Sequence, residues 1–403
     1  VSHRFPVERA AEAYALITGK QVEPYLGVLL TYPPEVPGTG QTVTLLAAKP
    51  RLHRDVVVKL GVLGAGNFAW NVMLPAISHI SRLERVGIAS ASGLSARRAA
   101  DRYGFCYATS DEAQVINDPE VNTVAILTRH NQHARQVLAA WRAGKHVFCE
   151  KPLAIAPGEL DEVEQEIWGP GAPGHEANVE GAVEGALPPH FSPLLMVGFN
   201  RRFAPLARRM SAFLGGRSEP FVAHYRVNAG LIPLGHWVHD LVQGGGRIVG
   251  EGCHFIDFLS FLAGGAPVDV RAQGLPDGGR YCEDNAVLTF TFPDGSLGTV
   301  EYLANGAKAF PKERLEVFCG GRVAVLEDFR TLETVHDGRR RVYRSPVRQD
   351  KGHRAAWEAF AAAIASAGPP PIPYDQLFGV TRATFAALEA LHTGERVSIR
   401  KNA

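Results

Sequence analysis

The chain lacks a charge excess, a long apolar run and an ordered cysteine pattern. Its 42 Lys and Arg face 41 Asp and Glu, for a formal net charge of +1. Nothing in that balance points to nucleic acid or an anionic membrane as a partner. No apolar stretch approaches the ~20 residues of a membrane-spanning helix. The opening residues, Val1 to Glu8, lack the apolar segment of a secretory signal. The five cysteines (Cys106, Cys149, Cys253, Cys282, Cys319) are scattered and contain no C-x-x-C pair. Odd number and wide spacing argue against a disulfide framework or a zinc ribbon and for reduced thiols in a cytoplasm; no metal site is expected. What is present is ordinary: 403 residues, 46% hydrophobic and 21% charged, a length that favours two domains.

The informative stretch runs from Val56 to Ala69, Val-Val-Val-Lys-Leu-Gly-Val-Leu-Gly-Ala-Gly-Asn-Phe-Ala. A buried parallel strand ends there in Gly64-Ala65-Gly66-Asn67-Phe68-Ala69, the G-x-G-x-x-A form of the dinucleotide fingerprint. Gly64 permits the tight turn, Gly66 lets a pyrophosphate approach the backbone, and Ala69 lets the next helix pack closely. The free N–H groups of the helix start favour an anion. An amphipathic segment (Val72, Leu74, Ile77, Ile80) and a second apolar strand, Val86 to Ala91, follow. The alternative is a strand–turn–helix with incidental glycines.

Strand and helix patterns then alternate: a helix from Ala96 to Tyr103, a strand from Val121 to Leu127, a helix from His133 to Ala143, and strands at 145–149 and 194–198. This predicts a Rossmann-type, doubly wound parallel sheet over residues 55–200. It is interrupted at 169–190 by a Gly-, Pro- and Glu-rich segment read as a mobile insertion. Residues 201–403 predict an α+β domain with a large, mostly antiparallel open sheet. Its strands are Phe221 to Asn228, Val268 to Ala272, Ala286 to Phe292, Gly298 to Tyr302 and Leu315 to Phe318. A helix is expected from His254 to Leu262. The C-terminal helices, from Ala355 and Gln376, are expected to return toward the first domain. Residues 1–50 fit neither domain: a helix at Ala10 to Ile17, a strand at Leu26 to Thr31, then a Pro- and Gly-rich linker.

Cys149-Glu150-Lys151-Pro152 follows a strand about eighty residues after the fingerprint, where a doubly wound sheet places its C-terminal edge. With G-x-G-N-x-A, Val197-Gly198-Phe199-Asn200-Arg201-Arg202-Phe203 and Gly244-Gly245-Gly246, the chain resembles the Gfo/Idh/MocA family of NAD(P)-dependent oxidoreductases from about residue 56 onward. Trp237-Val238-His239-Asp240 and Gly250-Glu251-Gly252-Cys253-His254-Phe255 resemble more closely a subgroup fused to a zinc-type alcohol dehydrogenase. His3-Arg4-Phe5-Pro6 through Tyr14 is similar to the tail of that dehydrogenase, and Val1 in place of Met fits an alternative start codon or a truncation.

The resemblance implies that Lys151 sits beside substrate and nicotinamide. A lysine there can move the proton on a carbinol oxygen as hydride transfers, and Glu150 would orient it or touch the ribose. The family pattern Asp-x-x-x-His has Gly250 at the acid position here. Glu251, three residues before His254, shares a helical face with it and is expected to supply the carboxylate. Thr128, His130 and His133 lie where the family has Thr-Pro-Asn-x-x-His and are expected near the nicotinamide ribose; Arg129-His130 departs from Pro-Asn. Asn200, Arg201, Arg202, Asn228, His236, Trp237 and His239 are expected to face the substrate, the paired arginines suiting a carboxylate or phosphate.

The second strand exits through Ser90-Ala91-Ser92 without an acid, and Arg97 and Arg98 follow. Ser92 and Arg97 suit a 2′-phosphate, so NADP is mildly favoured over NAD. The expected activity is hydride transfer to or from a sugar, cyclitol or nucleotide-sugar alcohol; the alternative is a non-catalytic NAD(P)-binding protein. A homodimer or homotetramer is expected, with Phe221, Ala286, Leu288, Phe290 and Val300 supplying both faces of the second sheet.

Overall fold

The computed structural model describes residues 1–32, 42–45, 57–170, 193–345 and 349–399. The expected linker prolines and nearly all of the expected insertion lie outside the described residues. Two compact units are present, Val1–Thr42 and Val43–Ala403. In the first, β1 (His3–Pro6) pairs in parallel with β2 (Val28–Thr31) beside α1 (Ala10–Ile17).

The second unit opens with a seven-stranded sheet. Its strands are β3 (Thr42–Thr44), β4 (Val58–Leu63), β5 (Leu83–Ala89), β6 (Tyr107–Thr109), β7 (Thr123–Ile126), β8 (His146–Cys149) and β9 (Leu195–Val197), in the order β3-β6-β5-β4-β7-β8-β9. The pairings from β6 across to β9 are parallel. The order reverses between β4 and β7, so the crevice at their C-terminal ends is the switch point where such sheets bind ligands. The Val- and Ile-rich strands are buried on both faces, as a sheet with helices on each side requires. The crossover helices are α2 (Leu74–Ile77), α3 (Gly93–Tyr103), α4 (Glu112–Asn117), α5 (His133–Arg142) and α6 (Pro157–Trp168). Ahead of α2 the helix widens into a π turn at Ala69–Met73. Pro75 accounts for it: its ring conflicts with the carbonyl four residues back, at Asn71.

The rest of the unit builds a nine-stranded sheet from β10 (Val222–Asn228), β11 (Asp269–Gly274), β12 (Asn285–Thr291), β13 (Leu297–Leu303), β14 (Glu313–Cys319), β15 (Arg322–Glu327), β16 (Thr331–His336), β17 (Arg339–Arg344) and β18 (Val397–Ser398). The order is β17-β16-β15-β14-β10-β13-β12-β11-β18, and only β10–β13 pairs in parallel. Four helices belong to this half: α7 (Pro205–Leu214), α8 (Cys253–Ala263), α9 (His353–Ser366) and α10 (Tyr374–Thr393). The Rossmann sheet joined to a large mostly antiparallel sheet is the fold class expected from the sequence.

Phe221, Ala286, Leu288, Phe290 and Val300 are all buried, which corrects their expected division between two faces. The outer face instead carries an apolar row that crosses five strands through register partners: Leu297, Val222, Phe318, Val323 and Val335. Helix α9 packs on the first sheet, with Trp357 stacked on Phe148 at 4.3 Å. Among the described residues no helix is long and apolar enough to cross a membrane.

Candidate active site

At the fingerprint, Gly64 has φ +102°, and a Cβ there would lie 2.6 Å from the Leu127 carbonyl oxygen. Only glycine fits that turn. A Cβ on Gly66 would meet nothing within 4 Å, so the backbone at the start of the helix is open to an approaching group. Ala69 is fully buried against the sheet. These residues fit a dinucleotide pyrophosphate. At the exit of β5, Ser92 flanks α3, its hydroxyl accepting from Ser95 at 3.3 Å. Arg97 donates to Asp101 at 2.9 Å, so its guanidinium is partly engaged along its own helix.

Lys151 follows β8 directly, and its Nζ donates to the Gly250 carbonyl at 2.8 Å. Glu150 is buried beside it, and burial raises its pKa to about 7. Its carboxyl packs on Gly198, where a Cβ would lie 2.6 Å from Oε1.

The loop after β7 is strapped to this turn. His133 lies with Nδ1 2.7 Å from the Pro152 carbonyl and Nε2 3.2 Å from the Thr128 carbonyl; the neutral ring has one N–H and donates to one of the two. It is fully buried, which lowers its pKa to about 4. Its observed contacts are thus to backbone. Thr128 donates to Gln136 at 2.6 Å, so its hydroxyl is likewise tied inward.

His130 reaches the other way. Its Nδ1 lies 2.8 Å from the Gly244 carbonyl, and its ring sits edge-on to Trp237 at 4.8 Å. Arg129 covers Trp237 at 5.6 Å and hydrogen-bonds Gln243. A Cβ on Gly250 would lie 2.8 Å from Cε1 of His130. The two departures from the family pattern, 120 positions apart in the chain, are one contact.

The helix that carries Gly250 widens into a π turn at Ile248–Gly252 before α8. That wide turn breaks the three-residue phase assumed for Glu251 and His254. Glu251 instead accepts from Lys312 at 2.5 Å, from Arg247 at 3.3 Å and from the Tyr302 hydroxyl. Despite burial, Lys312 above all holds its pKa down to about 2. No hydrogen bond joins it to His254 among the described residues, which corrects the expected pairing. His254 is buried with Nδ1 unpartnered. Burial, with Arg201 and Lys151 nearby, pushes its pKa well below the usual imidazole value.

Several expected substrate ligands turn inward. Arg201 forks onto Glu313 at 2.8 and 2.9 Å, and Glu313 also accepts from Lys351 at 2.6 Å. Arg202 pairs with Asp257 at 3.1 and 2.5 Å. Both arginines are buried, so the expectation that they bind a substrate anion is corrected: internal carboxylates occupy them. Asn200 donates to the Lys351 carbonyl at 2.6 Å, and Asn228 to Ala307 at 2.7 Å. His239 contacts the Ile232 carbonyl at 3.3 Å, and His236 accepts from the Val238 amide at 3.3 Å. Of this group Trp237 packs against His130 of the fingerprint half. Sequence reasoning missed Glu313 and the roles of Gly244 and Gly250. A lone Glu in a strand carries no signal, and Gly250 was legible only as a missing acid.

Two family models match the chain: "Oxidoreductase family, NAD-binding Rossmann fold" over residues 58–167, and "GFO/IDH/MocA C-terminal domain" over residues 216–321. Inositol 2-dehydrogenase 3 of Saccharopolyspora erythraea is 27% identical over 364 residues, 85% of this chain and 96% of that one. Myo-inositol 2-dehydrogenase of Thermotoga maritima is 25% identical over 284 residues, 67% and 75% of the two chains. Among solved structures, a levoglucosan dehydrogenase in complex with NADH and levoglucosan superposes with a TM-score of 0.70 at 22% identity, covering 85% of this chain and all of that one. The two models together span more than half of the sequence and meet the fingerprint and the Lys151 turn in their expected places. The chain is therefore an oxidoreductase of the Gfo/Idh/MocA family.

Proposed function

We propose that this enzyme oxidises a secondary alcohol of a polyhydroxylated ring, a sugar or cyclitol, or reduces the matching ketone, with Lys151 as the proton-transfer group. The observation that carries the reading is the Lys151 ammonium, set at the C-terminal edge of the first sheet and held at 2.8 Å by Gly250 of the second half. A nicotinamide dinucleotide held at the Gly64–Ala69 turn would supply the hydride chemistry. Lys151 exchanges the proton of the carbinol oxygen. His133 fixes the turn that bears it, and His254, neutral and buried, offers a further hydrogen-bonding edge. Glu251 acts at one remove, as a fixed negative charge near Lys151. The inositol and levoglucosan dehydrogenases among the relatives support the substrate class.

The exit of β5 offers hydroxyls and no carboxylate, which favours NADP(H); Arg97→Ala then weakens NADPH more than NADH in calorimetric titrations. The apolar row on the outer face of the nine-stranded sheet supports a homo-oligomer joined through that face, which light scattering tests. Residues 1–32 form their own small unit, which we read as the end of a dehydrogenase module.

The test of the reaction is initial-rate kinetics with NAD+ and NADP+ across cyclitols and monosaccharides. Lys151→Ala is expected to bind nucleotide within a few-fold of the native protein and to lose roughly 10²- to 10⁴-fold in kcat. Retained turnover in that variant removes Lys151 from the chemistry.

A further inference from the structure

We infer that His130 is a substrate-contacting specificity residue, its imidazole accepting a hydrogen bond from a ring hydroxyl next to the one Lys151 serves. The inference rests on the polyol reading above. A carbonyl only accepts, so the 2.8 Å contact with Gly244 puts the ring proton on Nδ1 and leaves a lone pair on Nε2. Nε2 has no hydrogen-bond partner among the described residues. Burial and the nearby Lys151 lower the pKa of His130 to about 3, so the ring stays neutral across the working range. So weak a base does not take the reacting proton; it orients a hydroxyl that keeps its own.

The ring is clamped for that task. Trp237 meets it edge-on at 4.8 Å, and His133 lies 5.7 Å behind. Gly250 is the shared platform. Its bare Cα faces the His130 ring, where any Cβ would come within 2.8 Å of Cε1, and its carbonyl holds Nζ of Lys151 at 2.8 Å. The amine and the imidazole thus flank one residue, near enough for the Lys151 charge to act on His130. Adjacent hydroxyls of the substrate ring are assigned to the two groups. Gly250 is a positioning residue for both groups.

The competing account is that the ring only spaces the loop from the second half. Three variants separate the two. His130→Phe keeps a ring against Trp237 and Gly250 but has no acceptor. His130→Asn keeps an amide donor for Gly244 and an acceptor oxygen. Gly250→Ala crowds the ring. For His130→Phe we expect nucleotide affinity within about threefold and a KM for the polyol raised about tenfold or more, with kcat changed less. His130→Asn should recover most of that loss. Gly250→Ala should raise KM in the native background and add nothing in the His130→Asn background, where Cε1 is gone. A native KM in His130→Phe, equal damage from Phe and Asn, or a harmless Gly250→Ala each overturns the inference. If the native enzyme oxidises no polyol, the functional reading fails separately. The same variants are then compared by calorimetry of myo-inositol binding to the NADH-loaded protein. Weaker binding in Phe but not in Asn upholds the role of His130, and equal or absent binding removes it.

Discussion

Glu150 stands next to the proposed proton-transfer group and titrates in the working range. Burial raises its pKa from 4.5 to about 7, against the opposing pull of Lys151. Below pH 7 it is a neutral acid, above it an anion packed against the bare backbone of Gly198. The kcat/KM profile is therefore expected to show a limb near pH 7 that Glu150→Gln abolishes; a limb that survives in the variant belongs to another group. Because the folded state holds this proton more tightly than the unfolded chain, the residue's contribution to stability falls as pH rises from 4.5 to 7. Gly66 gives a second residue-scale prediction. Valine there fills the open space beside the helix start, so nucleotide binding is expected to vanish while thermal unfolding stays near native. Unchanged affinity would make the fingerprint a turn and nothing more. These residues were legible because their chemistry is local: a glycine pair after a strand, a Lys-Pro turn after another. Arg201 and Arg202 were not, since their meaning depends on Glu313 and Asp257, 112 and 55 positions away.

At the scale of elements, periodicity marked the long helices and the strongly alternating strands. It failed where a turn is made without glycine. The hairpin between β15 and β16 turns through Asp328 and Phe329 at φ +46° and +55°, so β16 had no turn signal before it. It failed again at the π turn of Ile248–Gly252, where a period of 3.6 no longer says which side chains share a face. Gly352, ahead of α9, is an element boundary with a measurable demand. Its φ is +85°, and a Cβ would lie 2.5 Å from the Ala204 amide and the Asn200 carbonyl. Gly104, ending α3, has φ +74° and nothing within 4 Å of a Cβ. Alanine at either site strains the backbone, but only at 352 does it also collide with the Asn200–Phe203 turn. Gly352→Ala should therefore cost clearly more than the ~1 kcal/mol expected of strain alone at Gly104→Ala. Equal shifts in melting temperature would mean that the turn yields freely.

At the scale of the whole molecule, the junction between the two sheets is where ionisable groups have left water, and their linkage sets the acid limit of the fold. His130, His133 and His254 are buried with lowered pKa values, to about 3 and about 4 for the first two and well below 6.5 for the third. Below pH 6.5 the unfolded chain takes up protons that these rings refuse, so stability falls as pH falls. Each ring contributes about 1.4 kcal/mol per pH unit once the unfolded histidine is fully charged. Glu150 acts in the opposite sense over the same window and offsets about one of the three. The net loss from these four groups is roughly 2–3 kcal/mol per pH unit between pH 6 and 5, large against a typical total of about 5–15 kcal/mol, and the lowered pKa values of His146 and His353 act in the same sense. Below pH 4.5 the loss continues through Glu251 and Glu313. Their pKa values are lowered by Lys312 and by Arg201, so their stabilisation is present above 4.5 and disappears as they protonate. The urea midpoint is accordingly expected to drop steadily from pH 6.5 to 5, well before most carboxylates titrate. His133→Gln, which keeps a donor for the Pro152 carbonyl and cannot be protonated, should make the fall in stability shallower by about 1.4 kcal/mol per pH unit. A midpoint flat over this range would mean that the three rings carry their charge inside the fold, and that the junction is wetter than its packing implies.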